Sequence, residues 1–324
     1  MSDIVENNVL HLSQLEDIRF ESFFFLDKVP VDLYTNIEEI RKIKGSGEKI
    51  DKEFFLKLIK HNKTNIFINR HYRHVVTDQI FNEITILGRA ISKYNYLNFA
   101  KRLAHYISIL HNEIHLKPLD DKLINYQTTA FKIWLTFVKK CTHHKLQRVI
   151  NHLHQSSSFR GAKKSLACAT LLYRLSSSEK IFSDHYCFNL AVSGLFSEIG
   201  TSLISEKNRR NNAVINSKIF KYSSLILSIK TNLTPQNLKM IASASFNDSS
   251  LRKKSLISGQ ETYYFLGAFY LCGRLFENKN FCLKTLLTEL KNFLPVGHQS
   301  EFKNIITRSI EFFGWEQLPD QMTP

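Results

Sequence analysis

A chain of 324 residues with 43% apolar side chains can bury one large core, or a small core beside a larger one. Its 11 glycines and 6 prolines are too few for a turn-dense β-sandwich and direct the reading toward helices. The net charge of +15 is uneven: residues 1–53 hold 12 acidic and 7 basic side chains, a local net of −5, so the remainder carries +20, a field that favours an anionic partner.

The opening residues, MSDIVENNVL, are acidic and have no apolar core, so a secretory signal is not expected. "FESFFF" (20–25), "VPVDLYTNI" (29–37) and "TNIFINR" (64–70) are short, β-branched and aromatic, and read as strands. Between the last two, "DKEFFLKLIKH" (51–61) sets Phe54, Phe55, Leu58 and Ile59 at helical spacing behind Asp51, a capping side chain. Strands around one helix predict a small α/β module over 1–75. Gly45-Ser46-Gly47 lacks the G-x-x-x-x-G-K-[ST] spacing of a phosphate loop and predicts a hairpin or loop.

From Thr77 onward the pattern is helical. Thr77–Leu116 and Leu119–His154 are long amphipathic stretches parted at Pro118, and predict linking helices over 76–158. Ser-rich breaks at 155–161 and 176–179 precede shorter helical segments at 162–175, 184–205, 214–230, 235–246, 259–277, 281–293 and 298–314, which form a bundle domain over 159–316. Thr234-Pro235 reads as a helix start, and Pro295-Val296-Gly297 as a break. The longest apolar run, Tyr263–Gly273, is far short of the roughly 20 residues that span a bilayer, so no transmembrane segment is expected. Five cysteines without a C-x-x-C pair predict buried, reduced thiols and a cytoplasmic location. The fold class is therefore mainly α, behind a small α/β module.

Local signatures of chemistry are sparse. His111 and His115 in "HNEIH" share a helix face at the spacing of a two-histidine metal site, but the glutamate position of H-E-x-x-H is not kept, and a solvated or packing pair is the alternative. His143, His144, His152 and His154 scatter over more than one face among Lys139, Lys140, Lys145 and Arg148, which reads as a basic surface. G-x-S-x-G does not occur. Tyr263, Tyr264, Phe265, Phe269 and Tyr270 read as core packing.

"LFSEIGTSLI" (195–204) interrupts an apolar helix with the polar pair Ser197-Glu198. With the order of helices after Phe159, "NLAVSGLFSEIGTSLI" resembles the HD-GYP branch of the HD phosphohydrolase superfamily. Those all-helical domains hold two or three metals through histidines and aspartates and hydrolyse cyclic di-GMP. By the resemblance, Ser197 stands at the His of L-H-D-I-G-K, Glu198 at the Asp, Ile199-Gly200 at the Ile-Gly and Thr201 at the Lys. The family's early His would fall near Gly161, and its His-Pro around Ile219–Tyr222, where neither residue occurs. The His-His-Glu would fall in 241–248, which offers Ala244, Ser245 and Phe246; "SSLRKKSL" replaces the G-Y-P loop, and Phe269 follows Ala268 where the closing Asp belongs. The resemblance covers roughly 159–314, and the leading strands and helix are similar to a module that precedes some HD-GYP domains.

A serine hydroxyl is a poor transition-metal ligand where imidazole is wanted. With Ser197, Glu198, Ala244, Ser245 and Phe269 at its metal positions, the resemblance implies a pseudoenzyme without metal or cofactor. It implies a signalling protein that binds a partner protein or a nucleotide. The alternative is a nucleic-acid-binding module using basic helical faces, since Lys139–Lys164 and Lys207–Asn247 contain no acidic residue. A residual metal-dependent cyclic di-GMP phosphodiesterase is the third reading. Arg209 and Arg210, with Lys218 and Lys221, are the candidate anion contacts, because a guanidinium fork matches phosphate oxygens. A homodimer is left open.

Overall fold

Ile66, Phe67, Ile68 and Asn69 alternate between buried and partly exposed, as an interior strand of a one-sided sheet requires. The computed structural model describes residues 11–36, 40–51, 53, 56, 66–155, 160–179, 182–204 and 212–242, with 265, 267–269, 271–273, 304, 305, 307 and 308 toward the C-terminus. They belong to two compact units, Met1–Ser92 and Lys93–Pro324.

The first unit is a four-stranded antiparallel sheet, β1 (Leu15–Ile18), β2 (Leu33–Asn36), β3 (Ile40–Lys44) and β4 (Ile66–Asn69), in the order β1-β4-β2-β3. Helix α1 (Arg73–Arg89) contributes Val76, Ile80, Ile84 and Leu87 to the buried apolar set of this unit, alongside Leu15, Ile18, Leu33, Ile66 and Ile68. Arg73 is buried and pairs with Glu16 at 2.8 Å while donating to the Asp17 carbonyl at 3.2 Å, which ties α1 to β1.

Two features of this unit differ from the sequence reading. Residues 20–25, read as a strand, hold a 3-10 turn at Phe20–Phe23; as a strand of a one-sided sheet, Phe23-Phe24-Phe25 would turn at least one ring to solvent, whereas in the turn Phe23 is fully buried and Phe20 meets Phe24 edge-on. β1 and β3 are not expected from the sequence, since LEDI and IRKIK carry their charges on exposed or partly exposed positions and read as polar. Residues 51–61 lie almost wholly outside the described residues. The loop at 45–48 is a tight turn with Gly47 at φ +84°, a conformation suited to glycine. All four of its amides donate within the unit, to Glu48 Oε1, Asp32 Oδ1 and the carbonyls of Val29 and Gly45, so none is left to cradle a phosphate.

The second unit is helical: α2 (Tyr96–Leu116), α3 (Asp121–Lys140), α4 (His143–Gln155), α5 (Arg160–Ser177), α6 (Asp184–Leu195), a 3-10 turn (Ile199–Leu203), α7 (Asn212–Lys230) and α8 (Pro235–Ala242). Short polar side chains start these helices: Asn95, Asp120 and Ser183 accept backbone amides of α2, α3 and α6, and Thr234 accepts the Asn237 amide of α8. The long helix expected over Thr77–Leu116 breaks at 90–95, and that over Leu119–His154 at Cys141-Thr142. Arg174 closes the second break by donating to the carbonyls of Val138 and Cys141, at 3.1 and 2.9 Å. Helix α1 thus belongs with the sheet rather than with the linking helices at 76–158, and α2 to α4 pack against α5 or one another within the helical unit. Among the described residues, no helix is long and apolar enough to cross a membrane.

Candidate functional site

The α6 helix is small-faced where it meets α5. A Cβ on Gly194 would lie 2.6 Å from Leu172 Cδ1 and 3.3 Å from Cys168 Sγ, so the two helices meet closely and a side chain there would have to displace Leu172. Trp134 on α3 is fully buried and donates its indole N–H to Thr170 on α5 at 2.9 Å, which fixes the opposite side of α5.

The expected helix over 184–205 ends instead at Leu195, and the backbone turns through Phe196, Ser197 and Glu198 into the 3-10 turn. The turn faces inward: Phe196 and Ile199 are fully buried and Ser197 is 1% exposed. Ser197 donates its hydroxyl to the Gly194 carbonyl at 3.0 Å, closing the helix end, so its proton is directed at the backbone. Gly200 then lies against α7. Its amide donates to Ser223 Oγ at 2.8 Å, and Ser223 donates in turn to the Ile219 carbonyl at 2.9 Å.

Glu198 receives the ammonium of Lys164, on α5, at 2.7 Å; the lysine side chain is 7% exposed and the glutamate 25%. The same ammonium lies 4.8 Å from the centre of the Phe269 ring, which meets Phe220 edge-on at 5.2 Å. Glu198 and Phe269, two positions singled out by the sequence resemblance, therefore converge on one cation, and Ser197 adjoins them in the chain. Lys164 was read from sequence only as part of a basic stretch. The signal available was its place on α5 one turn beyond Gly161, where the resemblance expects a metal-binding histidine.

Among the described residues, the donor set beside Lys164 does not fit a transition metal. Ser197 is bonded to backbone, the Glu198 carboxylate is held by an ammonium, and Phe269 offers a ring. Cys168 is hydrogen-bonded to Cys272, and burial first, then this contact, push its thiol well above the usual range, away from the thiolate a metal requires. Among the described residues, no three His, Cys, Asp or Glu side chains form a set able to hold a metal ion. Ala244, Ser245, Arg209 and Arg210 lie outside the described residues. Lys218 and Lys221 are on the exposed side of α7, whereas Ser223, which grips Gly200, is on its buried side.

The two histidines of α2 face one another, Nε2 to Nε2, at 3.1 Å. His111 is 2% exposed, and burial first, then the neighbouring His115, hold its pKa well below the ordinary 6.5. The folded state thus keeps His111 neutral, whereas the unfolded chain takes up a proton near 6.5. Stability from this group is fully present above about pH 6.5 and is lost as pH falls below it. Thermal melts of the wild type and of His111→Phe at neutral and mildly acidic pH should show the variant losing less stability on acidification. Part of the pH slope persists in the variant because His152 is displaced in the same direction by burial. Equal pH slopes for the two proteins would contradict this assignment.

No family model and no curated protein matches the chain. Among solved structures, Bd1817, described as a HDG"Y"P protein from Bdellovibrio bacteriovorus, matches with a TM-score of 0.62 at 14% identity over 90% of this chain and 99% of that one. The chain therefore has an HD-GYP-like helical fold behind its small sheet.

Proposed function

We propose that this chain is a non-catalytic, HD-GYP-like signalling protein that acts by binding a partner protein or a nucleotide. The observation that carries this reading is the Lys164–Glu198 ion pair beneath Phe269. Where the resemblance sets metal-binding side chains, a tethered ammonium supplies the positive charge and an aromatic ring takes the aspartate position. Without a bound metal to lower the pKa of water, phosphodiester hydrolysis loses its nucleophile.

A nucleic-acid reading has a specific observation of its own. Lys122, Lys132, Lys139, Lys140, Lys145 and Arg148 are all exposed on α3 and α4, and from Lys122 to Ser178 the chain has no acidic residue. Yet five of these cations rest beside rings, Lys122 at Tyr126, Lys132 at Phe188, Lys139 at Tyr173, and Lys145 with Arg148 at Tyr96, and Lys139 is also paired with Asp184. That arrangement gives a solvated helical face an account without any ligand.

The test combines metal analysis of the purified protein with a cyclic di-GMP hydrolysis assay in added manganese or iron. The expected result is no turnover and no stoichiometric metal. Turnover abolished by Glu198→Ala would sink the reading. Titration of the same protein with cyclic di-GMP and with short single-stranded RNA at two salt concentrations separates the two binding modes, since phosphate contacts along a strand weaken steeply with salt.

A further inference from the structure

Helix α7 presents its apolar side chains in the wrong direction for a helix that only completes a core. Its inner face is filled by Phe220, Ser223, Ile226 and Leu227. Its outer face carries Tyr222, Leu225 and Ile229, which are 36%, 55% and 66% exposed. The spacing i, i+3, i+7 aligns these three along one stripe. Lys218 and Lys221 flank its N-terminal end, both exposed, and α7 contains no acidic residue. Leu203, on the 3-10 turn that packs against α7 through Gly200, adds another apolar side chain at 48% exposure. Aligned exposed apolar side chains of this kind mark an interaction surface, whereas scattered single ones do not.

The chemistry of the stripe selects its occupant. Hydroxyls on the C-terminal half of α7 are already used: Ser224 donates to the Leu238 carbonyl, Ser228 to Leu225 and Thr231, just beyond the helix, to Leu227. Among the described side chains of the stripe and its flanks, what remains facing outward is hydrocarbon, one phenol and two ammonium groups. A protein interface of ordinary size calls for hydrogen bonds as well as apolar contact. A second copy of α7 would bring further ammonium groups and no carboxylate to meet them, and a nucleic-acid backbone has no use for Leu225 and Ile229. An anionic lipid surface uses all of these groups, with Leu225 and Ile229 in the acyl boundary, Tyr222 at the headgroup level and the lysines among the phosphates. The net +20 carried beyond residue 53 attracts the chain to such a surface from a distance.

We propose that the exposed face of α7, formed by Lys218, Lys221, Tyr222, Leu225 and Ile229, docks the protein on membranes rich in anionic lipid. Co-sedimentation of the full chain with phosphatidylcholine vesicles, and with vesicles that also contain phosphatidylglycerol, tests this. The wild type is expected to partition onto the anionic vesicles and only weakly onto the neutral ones. Lys218→Gln/Lys221→Gln should weaken binding about thirtyfold, and Leu225→Ser/Ile229→Ser about tenfold. Both pairs are exposed, so unchanged melting of each variant shows that the fold is intact. Failure of the wild type to sediment with anionic vesicles at low salt overturns the proposal. So does full binding by Leu225→Ser/Ile229→Ser, because charge alone would then account for the attraction. Concentration-dependent self-association that this variant abolishes, with the vesicles left bare, overturns it in favour of a second copy on the stripe.

Discussion

Replacing Gly200 with alanine is expected to destabilise the helical unit by about 3 kcal/mol and to lower its melting temperature by roughly 10 °C. A Cβ at this position would lie 2.2 Å from the Ile219 carbonyl oxygen, 2.5 Å from the Ser223 amide nitrogen and 2.8 Å from Tyr222 Cβ. The first two are backbone atoms of α7, which cannot swing aside as a long side chain does. Either α7 moves away as a body or the turn unwinds, and both break the Gly200–Ser223 hydrogen bond inside the core. Ser223→Ala, which removes that bond and the hydroxyl's own bond to the Ile219 carbonyl but leaves the close approach intact, should cost about 1 kcal/mol. Helical circular dichroism followed through thermal unfolding measures both. A Gly200→Ala protein that melts with the wild type would show that the approach of turn and helix is looser than described.

Glu198→Ala should destabilise the protein by about 2 kcal/mol, because it leaves the Lys164 ammonium 7% exposed beside a phenyl ring without its carboxylate. A fully buried pair would lose more; the quarter-exposed glutamate admits some screening. Lys164→Met removes the charge that needs a partner while keeping a long apolar side chain, and leaves a carboxylate that water can reach, so its cost is smaller. The double variant Lys164→Met/Glu198→Ala should recover most of the loss caused by Glu198→Ala alone. Chemical denaturation of the four proteins closes this cycle. Additive losses in the double variant would mean that the two side chains do not depend on one another.

The reach of the sequence reading is set by what each residue type says about its neighbours. Helix starts were legible at Thr234-Pro235, since a side-chain cap and a ring with a fixed φ act within a few residues of chain. The breaks at 90–95 and Cys141-Thr142 were not, because the second depends on Arg174, more than thirty residues away, to satisfy the exposed carbonyls. Ser197-Glu198 stood out in sequence as polarity within an apolar run, and both residues do lie at a helix end facing inward. Lys164 did not, because a lysine reads as solvent-facing and only the folded contacts with Glu198 and Phe269 show it drawn inside. Gly200 carried a hint through the Ile-Gly turn, but the reason for the glycine belongs to α7, a separate segment of chain.

The thiols give the helical unit a clock. Cys141, Cys168, Cys187 and Cys272 are buried and form no disulfide, and burial holds the Cys141 and Cys168 protons more tightly than in water. A thiol that is both covered and protonated reacts with an alkylating agent only after the surrounding helices part. The rate at which Cys168 is labelled therefore reports how often α5 opens where it meets Gly194 and Cys272. The chain thus carries an internal record of its own breathing, readable one cysteine at a time without any engineered reporter residue.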